Sequence, residues 1–312
     1  KVWLTQKIFH EMKQLKFNFK TNFLGHTGSV YAVEKSSEAS FYTAGADGVI
    51  AKWNIYSPNA TAIAKLPHKV FCLRQVSKDI LVAGTSSGGI YIIDLTLKRA
   101  PRNIQFDTSI CYNICPLANA TFATVHESGK LLIWDTESGA IIKASTISDQ
   151  KLRGICALND KLLVGTGNGE IVVLESSGWK IIHQFDAHEI DFGVNCLIHD
   201  ETNKTVISGG KDGHINYWNQ DKLELIECVP AHNYAIYNFA INPDCTTLFS
   251  ASRDKSIKVW DLKSRSFIQK IVREKADGHT HSVNSVLALN QSQLISVGDD
   301  KKVISWEVEN SN

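Results

Sequence analysis

Apolar residues in this chain come in short runs that alternate with polar ones, and clusters of turn residues separate the runs. The stretch from Ala231 to Asp261 shows the pattern in full. An alternating run from Ile236 to Ile241 ends at Asn242-Pro243-Asp244, and a second run spans Leu248 to Ala251. Arg253-Asp254-Lys255 then precedes a third run, Ile257 to Trp260. A period of two bounded by Pro, Asn and Asp predicts three consecutive antiparallel strands.

The same unit recurs along the chain. Residues in the place of Trp260 are Trp53, Ile93, Trp134, Leu174, Trp218, Trp260 and Trp306, at gaps of 40, 41, 40, 44, 42 and 46 residues. The next position always holds an acid or an amide: Asn54, Asp94, Asp135, Glu175, Asn219, Asp261 or Glu307. A period of about 40–45 residues with several strands per repeat is that of a four-stranded propeller blade. Seven repeats fill the chain, so one domain over residues 1–312 is expected, in place of the two that length alone suggests.

Ser252-Arg253-Asp254-Lys255 followed by Ile257-Lys258-Val259-Trp260-Asp261 resembles the repeat unit of the WD-repeat (tryptophan–aspartate repeat) family. The resemblance implies an all-β, seven-bladed β-propeller, and the chain looks like a stand-alone bacterial member. Four repeats carry the fuller signature. Six residues before the Trp lies Asp47, Asp212, Asp254 or Asp300, and four residues before that Asp lies Thr43, Ser208, Ser250 or Ser296. Upstream, after Gly or Ala, lies His26, His188, His232 or His279. The resemblance implies a buried chain of hydrogen bonds from Trp53, Trp218, Trp260 or Trp306 through the hydroxyl and the imidazole to the Asp. Repeats two to four are degenerate, with Ser87, Ser128 and Asn168 in place of the turn Asp, and His68 lies too near its strand for the tetrad role. These blades are expected to rely on apolar packing and to form a softer arc.

The two ends of the chain complement each other. The last repeat supplies three strands, and the alternating Leu15 to Lys20 can add the fourth, which would close the ring and remove two open edges. Residues 1–14 then form a lead-in. Ile8, Met12 and Leu15 at helical spacing leave a short helix open, although an irregular segment is favoured.

Composition narrows the function classes. A net charge of +1 gives no overall field that favours nucleic acid or an acidic membrane. No apolar run approaches the roughly 20 residues of a membrane helix. The seven cysteines are odd in number, and Cys72, Cys156 and Cys196 sit inside apolar strands, so buried free thiols and a reducing cytoplasm are expected. Cys111 and Cys115 form an isolated Cys-x3-Cys and His279-Thr-His281 lacks further ligands, so neither metal nor cofactor is expected. His, Ser and Asp occur together four times, but as tetrad members, which the resemblance implies, they are structural and not a hydrolase site. Gly165-Thr-Gly167-Asn-Gly169 precedes a strand and reads as a turn.

The resemblance places one side chain per blade at the channel mouth, just after the first apolar residue of the first strand. Those positions hold Tyr31, Phe71, Tyr112, Arg153, Asn195, Tyr237 and Asn284. A second ring, before the turn Asp or its substitute, holds Ala46, Ser86, Glu127, Gly167, Lys211, Arg253 and Asp299. Tyr and Arg tend to dominate interface energetics. A non-catalytic scaffold, monomeric on its own and binding a protein or peptide across this rim, is therefore expected. Two alternatives remain: a small ligand, metal or substrate in the channel, and a phosphopeptide or nucleic acid on the basic arc Arg153, Lys211 and Arg253.

Overall fold

In the computed structural model we describe residues 14–97, 99–273 and 277–311; the expected lead-in therefore falls almost wholly outside the described residues. Seven four-stranded antiparallel sheets form a ring of blades. In six blades the strands follow chain order from the inner strand outward; blade 6, for example, uses Ile236–Ile241, Thr247–Ser252, Ile257–Asp261 and Phe267–Ile271. Blade 7 is composite. Its outer strand is Gln14–Phe23, paired antiparallel with Val303–Ser311, so the N-terminus closes the ring as expected. That strand is longer than the Leu15 to Lys20 of the sequence reading because it continues past an irregularity between Phe19 and Thr21.

The core lies between blades, since each sheet buries both faces against its neighbours. Phe17 joins Phe249, Val286 and Trp306 in a cluster spanning blades 6 and 7, and Phe23 joins Phe41, Trp53 and Val303 across blades 7 and 1. The second strands are buried throughout in blades 1, 5, 6 and 7, which explains why their sequences read as continuous apolar and small residues. No helix of the described residues is long and apolar enough to cross a membrane.

One irregularity recurs in every blade and decides where function can sit. The register between the first and second strands slips one residue after the first strand begins: between Val30 and Ala32, Val70 and Cys72, Cys111 and Asn113, Leu152 and Ile155, Val194 and Cys196, Ile236 and Asn238, and Val283 and Ser285. A bulge leaves the extra residue unpaired and re-aims its side chain. The extra residues are Tyr31, Phe71, Tyr112, Arg153 with Gly154, Asn195, Tyr237 and Asn284.

Candidate functional site: the mouth of the central channel

The bulged residues surround a single opening. A cavity of about 330 Å³ at the centre of the ring is lined by all seven, together with Arg74, Asn113, Asn238 and Asp299. Three aromatics form a continuous chain along one side. Tyr31 stacks on Phe71 with centroids 4.8 Å apart and planes 2° from parallel, and Phe71 meets Tyr112 edge-on at 6.0 Å. The Arg153 guanidinium lies 4.3 Å over the Tyr112 ring and continues the series onto blade 4.

The other side of the mouth is amide-lined. The Asn195 amide donates to the Ile236 carbonyl at 3.0 Å, and Asn284 donates to the Val30 carbonyl at 2.9 Å and to Asp299 at 2.8 Å. The bonds to the Ile236 and Val30 carbonyls cross to the next blade, so the mouth is braced by its own side chains. Tyr237 lines the same opening from blade 6. Burial raises the Tyr112 phenol above its ordinary value despite the nearby Arg153, so its hydroxyl stays protonated and donates to Glu127 at 3.4 Å.

The second ring divides. Asp299 reaches the mouth, whereas Lys211 and Arg253 stand outside it on the rim. Their backbone N–H groups donate to Gly193 and Ala235, the residues just before the adjoining first strands, at 2.9 and 3.0 Å. The turn is therefore tied to the incoming loop, as is that of Asp299, whose N–H donates to Ser282 at 3.0 Å.

Below the rim the four tetrads are fully connected. In blade 6 the Trp260 indole donates to Ser250 at 2.9 Å, Ser250 donates to His232 Nε2 at 2.7 Å, and His232 Nδ1 donates to Asp254 at 2.9 Å. The same order holds for Trp53–Thr43–His26–Asp47, Trp218–Ser208–His188–Asp212 and Trp306–Ser296–His279–Asp300, with every link between 2.7 and 3.1 Å. Burial works to raise each carboxyl, but hydrogen bonds from the imidazole and the turn N–H groups outweigh it, and all four lie below the ordinary range, Asp300 at about 2. Both ring nitrogens of each His are thus occupied inside the blade. Replacing Ser250 by Ala would orphan the Trp260 N–H and leave His232 Nε2 without its donor. We expect a loss of about 1–3 kcal/mol in urea unfolding, and much less for Ser250→Thr, because blade 1 uses Thr43 in that place.

Blade 3 departs from the expectation that degenerate blades rest on apolar packing. Trp134 donates to Thr124 at 2.8 Å and Thr124 bonds His126 Nε2 at 2.9 Å. Asp107, in the slot of the loop His, accepts from Ser128, in the slot of the turn Asp, at 2.9 Å. The charged partners are transposed, and the imidazole comes from the strand and not from the loop. Sequence reasoning missed this because it sought each residue type only at its usual position; Asp107, four residues before Cys111 as His26 is before Val30, was the available signal. His68 is exposed and joins no tetrad.

The seven four-stranded blades form a seven-bladed β-propeller, and its tetrads are similar to those of WD repeats. The WD40 family (WD domain, G-beta repeat) matches residues 17–54, 179–219 and 223–261. Human striatin is 25% identical over 304 residues, covering 91% of this chain, and the chain spans 35% of striatin's length. A Caenorhabditis elegans ubiquitin fusion degradation protein 3 homolog is 29% identical over 160 residues, 49% of this chain and 17% of that protein. The WD40 β-propeller domain of Doa1 superposes with a TM-score of 0.81 at 14% identity, over 94% of this chain and 97% of that one, a likeness of fold.

Proposed function

We propose that this propeller is a non-catalytic scaffold that binds a protein or peptide across the top rim, with Tyr31, Phe71, Tyr112 and Tyr237 as anchors around the channel mouth. WD-repeat propellers typically serve protein–protein interaction. The observation that carries the reading is the bulge repeated in all seven blades, which turns one side chain per blade into the same opening. Four of those residues are aromatic, rigid and half-buried, the type of side chain that dominates interface energy. An enzymatic reading draws on the His, Ser and Asp groups, and those groups are spent on the tetrads, with both imidazole nitrogens bonded within the blade.

The test is a pair of substitutions chosen from the geometry. Phe71→Ala removes the middle ring of the aromatic chain, and Tyr237→Ala removes the anchor on blade 6. Partners captured from source lysate by the wild type should be lost or weakened about tenfold or more by the double variant, with the melting temperature of the propeller little changed. Capture that is indifferent to both changes would remove the top-rim reading.

A further inference from the structure

Three cations stand on consecutive blades of the top face: Arg153 on blade 4, Lys211 on blade 5 and Arg253 on blade 6. None forms an ion pair among the described residues. Each instead lies over an aromatic ring. Arg153 is 4.3 Å from the Tyr112 centroid, Lys211 is 5.6 Å from Phe192, and Arg253 is 5.9 Å from Tyr234. A guanidinium held face-down on a ring keeps the N–H groups in its plane available for a carboxylate. Arg153 uses one of these in a long contact, 3.4 Å, to Asn195.

The surroundings are mixed: two apolar side chains stand out, and the exposed Glu189 and Asp191 flank the first of them. Ile190 is 78% exposed and Tyr234 is 59% exposed, both on loops entering blades 5 and 6. Lys151 adds to the field: burial first, and then the charges of Arg153 and Lys211, draw its ammonium below the ordinary value.

We infer that the arc from Arg153 to Arg253 docks an extended, Asp- and Glu-rich segment of a partner protein with apolar side chains between its carboxylates. The inference rests on the top-rim reading and adds the partner's charge. One carboxylate meets Arg153 at the mouth, others meet Lys211 and Arg253, and the intervening apolar groups cover Ile190 and Tyr234. A polyphosphate chain fits less well, since the exposed Ile190 and Tyr234 offer its backbone no counter-charge.

The probe is a random 12-residue peptide library displayed on phage and selected on the propeller, followed by fluorescence anisotropy of the enriched peptides. Enriched sequences should be acidic. Arg153→Gln and Lys211→Gln should each weaken their binding about tenfold, with a steep dependence on salt. Neutral or basic winners, or no enrichment, would overturn the inference, as would acidic winners indifferent to both changes. The two readings separate cleanly. Peptides that lose binding with Phe71→Ala but not with Arg153→Gln or Lys211→Gln keep the top rim and sink the acidic partner. Peptides indifferent to all of them sink both. Single-stranded RNA of 12 nucleotides that binds more tightly than every peptide, with the same Arg153 and Lys211 dependence, would reassign the arc to nucleic acid and overturn the inference.

Discussion

Phe23→Ala is expected to cost about 3–5 kcal/mol in urea unfolding, among the largest effects of any single substitution in this chain. The ring of Phe23 is 2% exposed and sits between Phe41 at 5.5 Å and Trp53 at 5.4 Å. It therefore fills the seam where the last blade meets the first. Phe17, 5% exposed against Phe249 at 5.8 Å, does the same at the seam with blade 6 and should cost a similar amount. Phe19 provides the control, because it lies on the same strand but is 40% exposed, with only the edge of Trp306 at 6.3 Å. Its loss should cost about 0.5–1.5 kcal/mol. Deleting residues 1–23 should go further, baring the Val303–Ser311 edge and two interblade clusters; loss of the cooperative transition and aggregation are the expected results. Equal costs for Phe19→Ala and Phe23→Ala would mean that the strand adds backbone pairing alone and does not lock the seams.

The same closure shows what could be read directly from the residues. The repeat period and the alternating N-terminal strand can be counted directly along the chain, and the tetrads followed from the resemblance of four repeats to the WD-repeat signature. The mouth positions also followed from that resemblance, which sets them just after the first apolar residue of each first strand, where the structure has its bulges. What was not legible depends on contacts between loops. Lys211 and Arg253 are absent from the channel lining although their turns carry the same bond to the incoming loop as that of Asp299, which lines it, and no single-strand pattern records the difference. The transposed network of blade 3 was hidden in the same way, since Asp107 and Ser128 are 21 residues apart and take each other's chemistry.

That transposition leaves a cost that should appear as acid sensitivity. In the four tetrads the Nδ1 proton of the His is accepted by an Asp. In blade 3 Thr124 donates to His126 Nε2, and His126 Nδ1 is buried without a hydrogen-bond partner. Burial drives the His126 imidazole down to about 4 from an ordinary value of 6.5; Asp107 opposes the shift and Lys130 adds to it. A His whose folded value is depressed binds fewer protons than the unfolded chain between those limits, so stability present above pH 6.5 is lost as pH falls toward 4. The loss should be about 2 kcal/mol between pH 7 and 5 and about 3 kcal/mol by pH 4. His232, also lowered by burial, acts in the same direction. The tetrad carboxylates act in a separate window: their folded values are depressed, so their contribution is lost only as pH falls below the ordinary carboxylate value, for Asp300 down to about 2. The comparison that isolates His126 is the change in urea stability between pH 7 and 4.5, wild type against His126→Gln. The variant should lose most of this pH dependence whatever its stability at pH 7, because glutamine occupies the site without titrating. An unchanged slope would place the mild-acid sensitivity elsewhere in the ring and remove His126 as its source.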